Sequence, residues 1–352
     1  MDDLTRQLKA RVEEARKKKT PLVIRGGGTK LFYGRDIEGE PLEIASYRGI
    51  VEYRPGELFI TVRAGTRLAE LERVLAEENQ TLAAEPPHLG EEATVGGMVA
   101  VGFSGPRRPF AGAVRDHVLG MKVLTGRGEI LEFGGKLVKN VAGFDLGRLM
   151  VGSLGTLAVI LEVTLRVQPK PKALLTLRKE MPKERALSAM SELQSHSLPL
   201  SGLAYEAPYL YVRFEGEPQA LEEAREGLGG EVVEGDAFWR ELKELKRPFF
   251  REGEGDLWRI TLPPASPFPE LEGEWLIDWG GAQRWLKTQA PPEKVFAAVE
   301  KVKGQAAFLW GREKPDPPFS PMPENLKKIH LALKKAFDPE RILNRGRLDP
   351  EI

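Results

Sequence analysis

Three glycine clusters, each at the end of a predicted element, constrain this chain more than any other feature. The first is Arg25-Gly26-Gly27-Gly28-Thr29-Lys30, directly after the apolar run Leu22-Val23-Ile24. The second is Ala93-Thr94-Val95-Gly96-Gly97-Met98-Val99-Ala100, followed by Gly102-Phe103-Ser104-Gly105. The third is Val151-Gly152-Ser153-Leu154-Gly155-Thr156-Leu157. Where a Cβ is missing, the backbone takes up positive φ freely and lets another group come close. Successive N–H groups of a triple-glycine turn can converge on phosphate oxygens. Thr29 adds a hydroxyl there, and Arg25 and Lys30 add charge. One such cluster is commonly just a turn, but three within about 130 residues point to a long ligand lying along the backbone. Neither a G-x-G-x-x-G run opening a helix nor a Walker A spacing is present, so the two common nucleotide folds carrying those motifs are disfavoured.

Composition removes several chemistries. Cysteine is absent, which excludes disulfides, a thiolate nucleophile, cysteinyl zinc and an iron–sulfur cluster ligated by this chain. The four histidines, His88, His117, His196 and His330, have no metal-ligand spacing, so no metal site is expected. Lys plus Arg and Asp plus Glu both total 52, which leaves no overall basic character for nucleic acid. The first residues carry acids and no apolar h-region, and no window reaches about 18 apolar residues. The expected location is cytoplasmic, with no membrane span.

At 352 residues the chain has room for two domains. Leu4, Leu8, Val12 and Ala15 predict a helix over 2–18, and Leu68, Leu71, Val74 and Leu75 predict another after Gly65. Hairpins are predicted over 50–63 and 118–133, and a long strand over 156–167. Gln168-Pro169-Lys170-Pro171 then marks a boundary. All six tryptophans follow it, at 239, 258, 275, 279, 285 and 310. The predicted division is 1–170, a cap domain of α+β type over 171–315 with helices, predicted over 183–194 and 218–228, on one side of an antiparallel sheet, and a C-terminal segment 316–352. No internal repeat is visible.

The ordered set R-G-G-G-T-K, A-T-V-G-G-M-V-A, G-S-L-G-T-L-A-V-I and F-D-P-E-R-I-L-N resembles the p-cresol methylhydroxylase/vanillyl-alcohol oxidase (PCMH) type of FAD-binding protein. The stretches S-G-P-R-R-P-F-A-G-A-V-R-D-H-V-L-G and K-N-V-A-G-F-D-L-G-R-L-M-V-G-S-L-G are similar to the flavin-binding E subunits of bacterial glycolate oxidase. The resemblance covers residues 20–170 and 337–348. It implies an α+β fold: a two-lobed PCMH-type FAD-binding domain with a smaller α+β cap over the flavin. It places Gly26, Gly27, Gly28 and Thr29 on the pyrophosphate, and Thr94, Gly96 and Gly97 on the second wall. It puts Ser104 and Gly105 near the ribityl chain, Leu157 to Ile160 beside the adenine half, and Asn344 near the ring. Arg345 stands where this family more often has proline. With Thr at 29 and no cysteine, the FAD is expected to be non-covalent.

The implied function is the FAD-binding subunit of a glycolate oxidase or dehydrogenase complex. It would oxidise a small 2-hydroxy acid to a 2-oxo acid and pass electrons to a homologous catalytic flavoprotein subunit and an iron–sulfur subunit. The complex would be cytoplasmic or peripheral to the inner membrane through those partners. Such oxidation needs a cation for the carboxylate, a base for the hydroxyl proton and a hydride acceptor. Arg107 and Arg108 suit the cation, or else a salt bridge. Lys139, Asn140 and Arg148 are further polar candidates. His117 is the candidate base, although a histidine at a strand start beside Asp116 also suits a structural hydrogen bond. Only His196 falls in the cap, so two alternatives stay open: a structural FAD-binding subunit without catalysis, and a self-sufficient flavin oxidase.

Overall fold

Leu8, Val12 and Ala15 recur every three or four residues, and the charged positions between them face water. The result is a helix over Asp3–Lys18 with those three side chains buried. The computed structural model describes residues 3–135 and 146–352. Lys139 and Asn140 lie outside the described residues.

The chain separates into two units. The first takes its residues from Met1–Phe103, Ala113–Pro169 and Met322–Ile352, and the second from Ser104–Gly112 and Lys170–Pro321. The stretch Ser104–Gly112, which the resemblance places beside the flavin, thus belongs with the second unit.

The first unit has two principal sheets. β1 (Leu22–Arg25) pairs in parallel with β2 (Glu40–Glu43). β3 (Ile50–Arg54) and β4 (Phe59–Arg63) form the first predicted hairpin, and β5 (Gln80–Thr81) is a short strand. β6 (Val118–Thr125) and β7 (Ile130–Gly134) form the second hairpin. β8 (Ala158–Arg166) is the long predicted strand, and β9 (Gln168–Pro169) pairs with β5. The five-stranded order is β3-β4-β8-β6-β7, with Val62 opposite Val163 and Met121 opposite Val163 on its other side. Seven of the nine β8 residues are buried, because the central strand is covered on both faces. The helix Leu68–Glu77 adds Leu68, Leu71 and Leu75 to the same core.

The second unit holds β10 (Ala173–Glu180), β11 (Leu200–Glu206), β12 (Tyr209–Gly216), β13 (Glu231–Val233), β14 (Asp256–Thr261), β15 (Glu274–Asp278), β16 (Gln283–Thr288) and β17 (Gln305–Trp310). They make one eight-stranded antiparallel sheet in the order β13-β10-β12-β11-β15-β16-β14-β17. Counted from either outer edge, each half runs fourth, first, third, second strand, the split βαβ order. The halves meet at Tyr205 opposite Ile277. The first half has helices Lys183–Gln194 and Pro218–Leu228, as predicted. The second half keeps Pro292–Lys301. Its other helix is replaced by residues 262–273, where Pro263, Pro264, Pro267 and Pro269 forbid helical hydrogen bonding. The fully buried Arg284 braces that segment by donating to the carbonyls of Ser266 at 2.5 Å and Pro267 at 2.9 Å. Burial lowers its pKa to about 10. The topological repeat leaves no trace in sequence because strand order constrains pattern, not identity.

Tryptophans 239, 258, 275, 279 and 285 are all buried, as a packing role requires. No helix among the described residues is long and apolar enough to cross a membrane.

Candidate cofactor-binding cleft

The cleft in the first unit is built from β1 outward. On one side β1 pairs with β2. On the other it is met by the C-terminal return: Leu22 N donates to Ile342 O at 2.6 Å and Asn344 N to Leu22 O at 3.0 Å. The Asn344 side chain then works at both ends. Its Oδ1 accepts from Ile24 N at 2.7 Å and its Nδ2 donates to Leu154 O at 2.6 Å. One side chain thereby joins β1, the C-terminal return and the third glycine cluster.

β1 delivers the triple glycine. A Cβ on Gly27 would lie 1.5 Å from Glu92 O, and one on Gly26 would lie 2.4 Å from Thr94 Oγ1. Gly27 thus lies directly on the Glu92–Ala93 backbone and Gly26 against the Thr94 side chain, so protein packing already demands glycine at both. Gly28 has φ of +69° and meets only Leu31 Cδ1, at 3.7 Å. The amides of Gly26, Gly27, Gly28 and Thr29 donate to no group among the described residues. Thr29 Oγ1 donates to His88 O at 3.0 Å, and Lys30 Nζ to the same oxygen at 2.8 Å. Lys30 thus ties the turn to the 85–94 segment. Thr94 caps the helix Val95–Val101, accepting from Gly97 N at 3.2 Å.

The cleft opens to solvent and spans about 810 Å³ including that open space. Its lining includes Arg25, Gly26, Gly27, Gly28, Thr29, Lys30, Thr94, Gly96, Gly97, Ile160 and Asn344. Leu154 and Gly155 of the third glycine cluster also line it, as do Tyr33 and Arg347, which sequence reasoning missed. Among the described residues, three lining residues are cationic and none is acidic. Arg25 is exposed and, among the described residues, in no ion pair. The buried Arg347 donates to Leu31 O, Tyr33 O and Arg35 O at 2.5, 2.7 and 2.8 Å, and burial holds its pKa below the ordinary arginine value. Four unpaired amides beside cations, with no carboxylate, fit an anionic group such as a pyrophosphate.

Beneath this lining sits a group no sequence signal announced. Lys334 is 1% exposed and donates to Thr156 O at 2.7 Å and Leu343 O at 2.8 Å. It pairs with the fully buried Asp338 at 2.8 Å. Asp338 also accepts from Ile342 N at 3.1 Å and Leu343 N at 2.8 Å. The F-D-P-E-R-I-L-N motif thus reads as an aspartate that folds the chain back onto β1.

Other singled-out residues lie outside the lining. Leu157 is buried in the hydrophobic core at the entry to β8, where its side chain gains from apolar contact. His117 is 3% exposed, at the junction of the short helix Val114–His117 and β6. Ser104 and Gly105 belong to the second unit. So do Arg107, which pairs with Glu215, and Arg108, whose guanidinium lies 4.3 Å from the Trp279 ring centroid. Trp279 Nε1 donates to Gly105 O at 2.9 Å. Arg148 is exposed on the helix Leu146–Met150. His88 faces Glu72 at 3.0 Å.

Comparison with known proteins follows these features. Residues 4–134 match the FAD binding domain family. The D-lactate dehydrogenase of Archaeoglobus fulgidus is 32% identical over 198 residues, 55% of this chain and 44% of that one. Glycolate oxidase subunit GlcD of Bacillus subtilis is 36% identical over 162 residues, 45% of this chain and 34% of that one. An alkyldihydroxyacetonephosphate synthase structure superposes with a TM-score of 0.69 at 16% identity, covering 96% of this chain and 74% of that one, which shows a shared fold. Glycolate oxidase subunit GlcE of Escherichia coli is 47% identical over 351 residues, 99% of both chains. With that similarity running from end to end, and an FAD binding domain matched within it, the chain belongs to the GlcE family of glycolate oxidase subunits.

Proposed function

We propose that this chain is the FAD-binding subunit of a glycolate oxidase complex that converts a 2-hydroxy acid to a 2-oxo acid. The observation that carries the reading is the cleft: four amides from Gly26 to Thr29 that have no partner among the described residues, beside Arg25 and Arg347, with no acid among the described lining residues. In this reading those amides hold the pyrophosphate of a non-covalent FAD, and Arg25 offsets its charge. Thr94, Gly96 and Gly97 form the facing wall, and Asn344 and Gly155 close the end next to β8. Lys30 positions the turn through His88 O. Bound FAD supplies the acceptor for hydride from the carbinol carbon of the substrate. Arg107 and Arg108 hold the Ser104–Gly112 segment to the second unit, and His117 braces the start of β6.

Among the described residues, the lining contains no histidine or carboxylate to take the hydroxyl proton. That observation favours division of labour: a homologous flavoprotein subunit completes the oxidation, and electrons leave through an iron–sulfur subunit, since this chain has no cysteine. It also sustains a second reading, in which the FAD of this chain is structural. The complex is placed in the cytoplasm or at the inner membrane through its partners.

Absorption spectra of the purified chain before and after denaturation test cofactor and covalency together. The expected result is a flavin band that survives purification and is released on unfolding. Anaerobic glycolate should leave the isolated chain oxidised and bleach it once partner subunits are added. Bleaching by glycolate alone would establish a self-sufficient oxidase. No bleaching in the assembled complex would favour the structural role, and no affinity for FAD would overturn the proposal.

A further inference from the structure

We infer that Lys334 is a positioning residue for the cofactor cleft, spacing the Gly155 and Asn344 segments at its closed end through the backbone rather than touching the ligand. The inference rests on the reading of the cleft as the FAD site. The ammonium has three N–H donors. They meet Thr156 O at 2.7 Å, Leu343 O at 2.8 Å and Asp338 Oδ2 at 2.8 Å. Thr156 follows the lining residue Gly155, and Leu343 precedes the lining residue Asn344. At the same place a Cβ on Gly155 would fall 2.7 Å from Asn344 Nδ2, so the two segments touch with no space to adjust. Asp338 holds the amides of Ile342 and Leu343 and so fixes the return to which Lys334 is tied.

Stability alone does not account for this pair. Burying two charges costs desolvation, and well-packed apolar residues in such places are often as stable or more so. Burial indeed lowers the pKa of Lys334 while Asp338 raises it. What an apolar pair lacks is the means to bind two carbonyls from separate segments at a fixed spacing.

The test strips the full chain of flavin and titrates it with FAD, following flavin fluorescence, with thermal melts alongside. Three variants are compared with wild type: Lys334→Met, Lys334→Gln, and Val163→Ala as a core control. Val163 is fully buried in the sheet and lines no part of the cleft. Lys334→Met should raise the Kd for FAD at least about tenfold. Lys334→Gln, keeping a donor, should fall between it and wild type. Val163→Ala should lower the melting temperature with less than a threefold change in Kd. The visible circular dichroism of bound flavin should change in the Lys334 variants and not in the control. Equal affinity in Lys334→Met and wild type overturns the inference. So does loss of affinity in proportion to melting temperature across all variants, or failure of both Lys334 variants to fold. A wild-type chain with no FAD affinity overturns the reading of the cleft itself.

Discussion

Adding one methyl group at Gly27 should damage FAD binding more than the same change at Gly28. The new Cβ of Gly27→Ala would lie 1.5 Å from Glu92 O, 2.3 Å from Glu92 C and 3.1 Å from Ala93 N. All three are backbone atoms and cannot rotate away. Restoring ordinary contact requires the turn and the 92–93 segment to part by well over an ångström. Misplacement on the order of 1 Å can cost about a hundredfold where geometry is demanding, and hydrogen bonds weaken steeply with misalignment. A loss of FAD affinity of about a hundredfold is therefore expected. At Gly28 the Cβ meets only Leu31 Cδ1, at 3.7 Å, and the cost comes from φ of +69°. For an ordinary residue that conformation costs about 1–2 kcal/mol, or roughly tenfold in affinity. Flavin-fluorescence titrations of both variants, with circular dichroism to establish folding, give the comparison. If Gly28→Ala proves the more damaging, the missing side chain of Gly27 serves the ligand and not the backbone packing, and the reasoning fails.

Three further outcomes can be checked on the same chain. Arg25→Gln should weaken FAD binding and flatten its dependence on salt, because Arg25 is the exposed cation of the lining and exposed charges are the ones salt screens; an unchanged salt slope would remove Arg25 from the site. Arg107→Ala should lower the melting temperature, since it strands Glu215, whose side chain is only 17% exposed, at a cost of about 1–3 kcal/mol. The Kd for FAD should stay as in wild type, and a change there would tie Arg107 to the cofactor. Thr94→Ala should destabilise the helix Val95–Val101 by about 1 kcal/mol through loss of its cap to Gly97 N, measurable by denaturant titration.

The sequence made the backbone part of the cleft legible and left most of its side-chain support hidden. A triple glycine after a short apolar strand is a local signal, and its residues do line the cleft. The hairpins, the long central strand and the helices over 183–194 and 218–228 were readable for the same reason: their periodicity is contained within each segment. Arg347 and Lys334 were not. Nothing near Lys334, in a helix whose neighbours are Lys327, Lys328 and Lys335, distinguishes a buried lysine from a solvated one. Its partners Thr156 and Leu343 approach only once the chain has folded back. The place of Ser104–Gly112 in the second unit was hidden likewise, since Arg107 finds Glu215 108 positions away. Leu157, expected beside the adenine half through its backbone, turns its side chain into the core.

The unit that carries the cleft is interrupted by the second unit and completed by the last residues of the chain, and this makes Asn344 a sharper probe than its size suggests. Its one amide satisfies Ile24 N and Leu154 O, groups far from it and from each other in sequence. Asn344→Ala leaves both without these partners, at about 1–3 kcal/mol for each group that stays dry. That loss falls wholly within the first unit, whereas all six tryptophans lie between 239 and 310, in the second. Tryptophan fluorescence should therefore report a nearly unchanged melt for the second unit. Far-ultraviolet circular dichroism should show an earlier transition, and FAD affinity should fall by about tenfold or more. A variant that binds FAD like wild type while melting early would mean that Asn344 holds the C-terminal return in place without shaping the cleft. The route from β1 through Asn344 to Leu154 would then be a fastening of the fold alone.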